Sequence, residues 1–519
     1  MIDSLRHGHS LFSGRESSYQ AIVENLEYYG VINKVPGLLL WLIANPQQLH
    51  EVFQGIDSFR LVTTMEKTSY YLYSHLTSMF FFLATIALVL LSSRRLGLRN
   101  WLLPGLICLW WPSLVGHSFM NIKDIPFAFI YTAFSYSAII YLNDHRPSTI
   151  AASVWFRGVL AGILVSLKVP ALVPLLITES VIQCLSRLIL QPDLWHSRIS
   201  LHRRFLIIVE SVPILLGALI WFLFFCFTVF ILVTPSAWEK PAQFFFEAYS
   251  LHTNHYWGGC TWLSGFCDGK AVDPMHWDTM AYVIRWFFVQ TPAAILLLLS
   301  LSFSALVRRV RRARKHRMQM SLKGFSGESV YVVVILQAFL LPALALINNS
   351  ALYGALRHLS FALPPLAILG VVGAETFLRG VRNSRLFVSC LMTLSVILVI
   401  DSFLINPFQY IYINELARMV IDRPKTELDY WGASSGELMA MVAKREPDVY
   451  GLVNGYRPMI SVYHNLLGRS DVPGGPRFKA EFTVDALQVP LGSCRLMGSV
   501  NRSLIGVQNL LLSRAYICQ

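Results

Sequence analysis

The stretch "GHSFMNIKDIPFAF", residues 116–129, gathers His117, Asn121, Lys123 and Asp124 within eight residues, between two long apolar runs. A carboxylate there can hold a substrate hydroxyl, a metal ion or a cationic partner. The plainer reading is a Lys–Asp ion pair that closes a tight turn. Pro126 favours a new helix just after it, because a first-turn N–H lacks a helical partner anyway. Ionisable residues at membrane depth are costly, and that makes them functional candidates by default.

A second stretch, "YGALRHLSFALPPLAIL" at 353–369, opens an apolar run with Arg357 and His358. The planar guanidinium fork suits phosphate oxygens; anchoring of a helix end by snorkelling is the alternative. At the start of the chain, "MIDSLRHGHSL" holds Asp3, Arg6, His7 and His9. The segment "EAYSLHTNHYWGGCTWLSGFCDGKAVDPMHW" is rich in aromatic and His residues. These suit the faces of sugar rings, and equally an aromatic belt at a membrane interface. There is no nucleophile elbow, P-loop, HExxH, or GxGxxG opening a helix after a strand, so soluble nucleotide chemistry is unsupported.

The elements that must position these residues are apolar. Of 519 residues 55% are hydrophobic and 14% charged, where a soluble chain carries about a quarter charged. Stretches able to span hydrocarbon recur at 70–93, 101–118, 125–142, 150–167, 169–186, 205–234, 290–307, 329–348, 359–378 and 386–405. The formal charge is +13, but the basic residues sit in short blocks between those runs, so topology explains them and nucleic acid does not. Blocks such as Arg94-Arg95, Arg203-Arg204, Arg308–Lys315 and Arg379–Arg385 follow alternate spans and mark the cytoplasmic side. Residues 1–69, the Lys123-Asp124 turn, the loop at 235–289, the turn at 349–358 and everything after 405 then fall outside.

Three regions follow: an external or interfacial segment at 1–69, a bundle at 70–405, and an external tail at 406–519. "VPGLLLWLIA", 35–44, is too short to span and reads as an interfacial or re-entrant helix. The first strong span runs from outside to inside, which leads us to expect either a further membrane helix upstream of residue 1 or a natural truncation. The tail alternates in "DVYGLVNGYRPMISVYH" and turns at "VPGGP", as a small α/β domain would. Its aromatic stretches "NPFQYIYINEL" and "ELDYWG" are expected in that domain's core. The expected fold is an α-helical polytopic membrane protein of about ten spans with this small external domain.

Several of these landmarks, in order along the chain, resemble one family. "ENLEYYGVINKVPGLLLWL", "GHSFMNIKDIPFAF", "LYGALRHLSFALPPLAILG", "NPFQYIYINEL" and "TELDYWG" are similar to the membrane-embedded GT-C glycosyltransferases that use polyprenyl-phosphate sugars. The likeness is to the branch of bacterial protein O-mannosyltransferases and aminoarabinose transferases. It implies a GT-C-like bundle in a bacterial inner membrane with the tail in the periplasm. It also implies a polyprenyl-phosphate-linked hexose-type sugar as donor, an acceptor hydroxyl outside the cytoplasm, and a single inverting displacement. By the resemblance, Asp3 is the base and Asp124 the second acidic position, although members often carry Asp-Glu where this chain has Asp3-Ser4. Arg357 and His358 match the basic pair and would bind the phosphate, with His117, Asn121 and Lys123 beside them. No organic cofactor is implied; a divalent metal is compatible with the carboxylates. The alternatives are a catalytically impaired homologue, or a lipid-linked sugar transporter, for which Lys168 in "SLKVPALVP" is the one hint.

Four of the eight cysteines, Cys260, Cys267, Cys494 and Cys518, fall in the segments assigned outside. Disulfides form in such compartments. Zinc is the rival reading for "CTWLSGFC", but its six-residue spacing departs from the usual short metal knuckle. Mass spectrometry of unreduced protein should find Cys260–Cys267 and Cys494–Cys518 linked. Free thiols at all four positions would refute the pairing.

Overall fold

The computed structural model describes residues 35–47, 70–144, 153–190, 201–253, 266–267, 270–271, 277–316, 322–348, 350, 352, 354–378, 385–420, 429, 432–445, 452–454, 477–482 and 494–518. In chain order the helices are α1 (Val35–Ala44), α2 (Tyr70–Arg95), α3 (Leu103–Trp110), α4 (Pro112–Met120), α5 (Asp124–Asp144), α6 (Val154–Leu167), α7 (Leu172–Leu190) and α8 (Leu201–Val233). They continue with α9 (Pro241–Thr253), α10 (Trp277–Gln290), α11 (Ala293–His316), α12 (Leu322–Ile347), α13 (Leu363–Leu378), α14 (Arg385–Leu404) and α15 (Ser435–Arg445).

A backbone in hydrocarbon must satisfy its own N–H and C=O groups, so apolar runs become helices. Among the described residues, seven segments are long and apolar enough to cross a membrane: Leu72–Arg95, Asp124–Asn143, Val169–Arg187, Glu210–Val233, Ser329–Ile347, Arg357–Leu378 and Phe387–Leu404. These coincide with seven of the ten expected spans. The other three differ, each for a local reason. The stretch 101–118 breaks at Trp111, whose extended backbone (φ −80°, ψ 106°) precedes Pro112; proline disfavours a helical residue before it. The stretch 150–167 yields only the 14-residue α6, which starts at a Ser153 cap and stops at the extended Lys168. The stretch 290–307 is half of a pair, Thr279–Gln290 and Ala293–Arg308, bent by 117°. The loop expected at 235–289 therefore contains α9, α10 and a two-residue antiparallel pairing of β1 (Phe266–Cys267) with β2 (Lys270–Ala271).

Helix α1 is ten residues long and packs on α2, with Gly37 against the Ser74 backbone. Helix α5 lies inside the bundle against α2, α6 and α12. A buried ion pair ties α6 to α7: Arg157 Nε and Nη2 donate to Glu179 at 2.7 and 2.8 Å. Gln183 Nε2 also donates to Glu179, at 2.7 Å, and the guanidinium stacks over the Tyr141 ring. A fork with its partners all supplied is tolerable among apolar helices, and it permits only one register between them.

The two ends of the bundle are distinct. At one, Asn143 donates to Arg95 O, Tyr331 to Leu96 O, and the Asn100 N–H to Glu375. The other end holds the 121–124 turn, Lys168 and the short 3₁₀ segment Arg357–Ala362. The tail's sheet has the order β3-β4-β6-β5, from β3 (Leu452–Asn454), β4 (Arg477–Phe482), β5 (Cys494–Leu504) and β6 (Val507–Cys518). The β3–β4 pair is parallel and the others antiparallel; the register sets Cys494 opposite Cys518. Cys260 lies outside the described residues.

"NPFQYIYINEL" is not confined to the core of the sheet domain. It is a strap across the bundle end: Asn414 Nδ2 donates to Thr291 O at 2.8 Å, and Glu415 accepts from the Ala293 N–H at 3.1 Å. The Glu415 carboxylate thereby caps the N-terminus of α11 from outside the helix, where the dipole favours negative charge. On the sheet side, Arg418 Nη2 binds Asp401 at 2.5 Å and its Nη1 donates to Ile505 O at 3.0 Å.

Helices α11 and α13 meet closely at Gly373, where an added Cβ would lie 2.1 Å from Ser302 Cα. Backbone cannot yield there as a side-chain tip can. Gly373→Ala should therefore cost about 3 kcal/mol in thermal or denaturant unfolding. Gly217→Ala, with nothing within 4 Å of the new Cβ, should be neutral or stabilising by about 0.5–1 kcal/mol. Equal effects at the two sites would contradict this packing.

Candidate functional site

Asp124 is the first residue of α5, and the residues just before it set its geometry. Asn121 ends α4, donating its N–H to His117 O at 2.7 Å. Its side-chain oxygen accepts from the Lys123 and Asp124 N–H groups at 3.1 and 2.8 Å, as an N-cap does. Its side-chain amide donates to Asp124 Oδ2 at 2.6 Å, and Ser78 donates to its backbone carbonyl at 3.0 Å. Asn121 is fully buried. One side chain thus closes the turn and aims the carboxylate.

Two cations from distant segments meet that carboxylate. Lys168 Nζ pairs with Asp124 Oδ1 and also lies 5.3 Å from the Phe127 ring centroid. Arg357 Nε stands 3.9 Å from Asp124 Oδ2, an ion pair too long to be a hydrogen bond. Arg357 Nη2 lies 3.1 Å from His358 Nε2; guanidinium is only a donor, so this contact uses an imidazole with a free Nε2 lone pair. Asp124 is buried, while Lys168, Arg357 and His358 are each half-buried. Among the described residues, two cations thus meet one carboxylate.

The Arg357 limb is held by α10. Gly354 and Ala355 both have left-handed backbone, at φ 68° and 56°. For Ala355 that conformation costs roughly 1–2 kcal/mol. The turn is secured by hydrogen bonds from the Ala355 N–H to the Tyr282 hydroxyl at 2.9 Å and from the Leu356 N–H to Gln290 Oε1 at 3.2 Å. Strain of this kind is found where surrounding structure over-determines a site.

His117 is fully buried on α4, its ring 6.4 Å from that of Tyr410 and inclined to it by 30°. The structure therefore brings together His117, Asn121, Asp124, Arg357 and His358, with the backbone of Lys123 in the same turn. Asp3 lies outside the described residues. Among the described residues, no group of three or more His, Cys, Asp and Glu is gathered that would hold a metal ion. Sequence reasoning assigned Lys168 to a rival function and overlooked Gln290 and Tyr410. A lone Lys between apolar runs was the visible signal for the first; the others have none beyond polarity.

Removing one member of a largely buried pair leaves the other charge unanswered. Lys168→Met and Asp124→Asn should each destabilise the protein in detergent. Combined, they should cost less than the sum, with a coupling of about 1–3 kcal/mol. Strict additivity would mean that the two side chains do not interact.

Comparison with protein-family models, curated proteins and solved structures yields no match to this chain.

Proposed function

We propose that this chain is an integral-membrane glycosyltransferase of the GT-C type. It transfers a hexose-type sugar from a polyprenyl-phosphate carrier to an acceptor hydroxyl at the outer face of a bacterial inner membrane. The observation that carries the reading is the meeting of Asp124 with Lys168 and Arg357 at one bundle end. Charge alternation along the chain assigns that end to the outside, and the two motifs most similar to the family converge there.

The chemistry asks for two things. The acceptor oxygen attacks the anomeric carbon as the bond from that carbon to the lipid phosphate breaks, so a base must take the hydroxyl proton and cations must receive the phosphate. Lys168 and Arg357, with His358 beside them, suit the second of these, because ammonium and guanidinium donors gathered at the bundle end match phosphate oxygens at headgroup depth. Asp124 is engaged by both cations and by Asn121, which fits an organiser of that cradle better than an uncommitted base. The base is then Asp3, carried from the family resemblance.

The assay is transfer from a polyprenyl-phosphate sugar in membranes. Asp124→Asn keeps size and removes charge; Arg357→Lys keeps charge and removes the fork. Each should lower transfer on the order of a hundredfold, the usual worth of about 3 kcal/mol for such a contact in a dry site. If both variants express normally and transfer at the parental rate, the charges are only helix-end anchors and the proposal fails.

A further inference from the structure

We propose that the tail is a working part of this site: Tyr410 and Asp429 are positioning residues that hold both limbs of the Asp124 cradle in register. The inference builds on reading this bundle end as a ligand site, but not on the reaction assigned to it.

Tyr410 is fully buried and touches each limb separately. On one side its backbone fills the space over Gly116, where an added Cβ would come within 2.1 Å of Tyr410 N. Its ring lies along that of His117, the next residue of α4. Helix α4 ends one turn later in Asn121, which aims Asp124. On the other side, Tyr410 O accepts from Gln290 Nε2 at 2.9 Å. The oxygen of the same amide accepts from the Leu356 N–H at 3.2 Å, beside Arg357. One residue of the tail thus sets the spacing between the carboxylate's turn and the guanidinium's turn.

Tyr410 is itself fixed from the sheet. Its hydroxyl donates to Asp429 Oδ1, which also accepts from the Ala433 N–H at 2.9 Å. Asp429 Oδ2 accepts from the Ser434 hydroxyl and from the Ser434 N–H at 3.1 Å. Ser513 Oγ on β6 lies 2.7 Å from Ser434 Oγ. The single Ser434 hydroxyl proton goes to the carboxylate, so Ser513 is the donor in that pair. Burial pushes the Asp429 carboxyl up, and the hydrogen bonds from Ser434, Tyr410 and Ala433 oppose it. Mere attachment of a tail needs only apolar contact. A buried carboxylate with four donors fixes orientation, because leaving any of them unpaired is costly.

Tyr410→Phe removes one hydroxyl and keeps the ring on His117; Asp429→Asn keeps the shape and replaces one acceptor oxygen by a donor. Hydrogen exchange of the full chain in lipid nanodiscs reads the coupling without any substrate. Both variants should raise exchange on the order of tenfold at amides 117–124 and 354–358, with 132–142 in the middle of α5 unchanged. Exchange raised only within 406–434 and 494–518 would make Tyr410 a tail anchor and overturn the proposal. If Tyr410→Phe does not fold, Asp429→Asn carries the same test. In parallel, binding of a sugar-free polyprenyl phosphate should weaken about tenfold in both variants. Variants that exchange as expected, with a parent that does not bind this lipid, would count against the glycosyltransferase reading alone.

Discussion

The Asp124 carboxylate stands at the end of an apolar bundle, where a charge is tolerable only if it is answered. It is answered by Lys168 from the break after α6 and by Arg357 from the strained turn before α13. Both break points are needed for this. The first break places Lys168 beside α5, and the second places Arg357 there. These contacts therefore constrain where α6 ends and where α5 and the Arg357–Ala362 segment begin, and the rest of that bundle end is arranged around these breaks.

The interruptions that cost the chain its uniform spans are the same ones that build the site. Trp111–Pro112 splits what reads as one span, turning α4 into a short arm that delivers His117 and Asn121. The sharp bend between Gln290 and Ala293 frees backbone groups that an unbroken helix would have satisfied. The strap supplies their partners through Asn414 and Glu415. Irregular backbone at membrane depth is permitted where protein covers it or water reaches it. Here the covering element is the tail.

Much of this was legible in the sequence because the governing signals are local. Seven spans follow from length and apolarity, and the polar clusters at 117–124 and 357–358 announce themselves by contrast with their flanks. The short helices were misread for the same reason: a window average over 101–118 does not register that Pro112 sits in its middle. What was not legible is pairing across the chain. Arg157 and Glu179 are ordinary residues until α6 and α7 lie side by side, and Lys168 acquires its meaning only opposite Asp124. The strap was assigned to the wrong core because burial of aromatics says how deep they lie, not against what.

The same electrostatics bears on what the carboxylate can do. A general base must have an oxygen lone pair open to the incoming proton, and its charge must not already be spent. Asp124 has Lys168 on one oxygen, with Asn121 at hydrogen-bond distance and Arg357 at longer range on the other. Both oxygens are thus already engaged. The carboxylate's effect on its neighbours is the more useful one. It holds two cations of like charge close together before any anion arrives, which they would otherwise resist. In the proposed function, an incoming phosphate then meets donors already in place. On the function proposed above, the acidic residue at the centre of the cluster is there for anion binding, and proton transfer is left to another group.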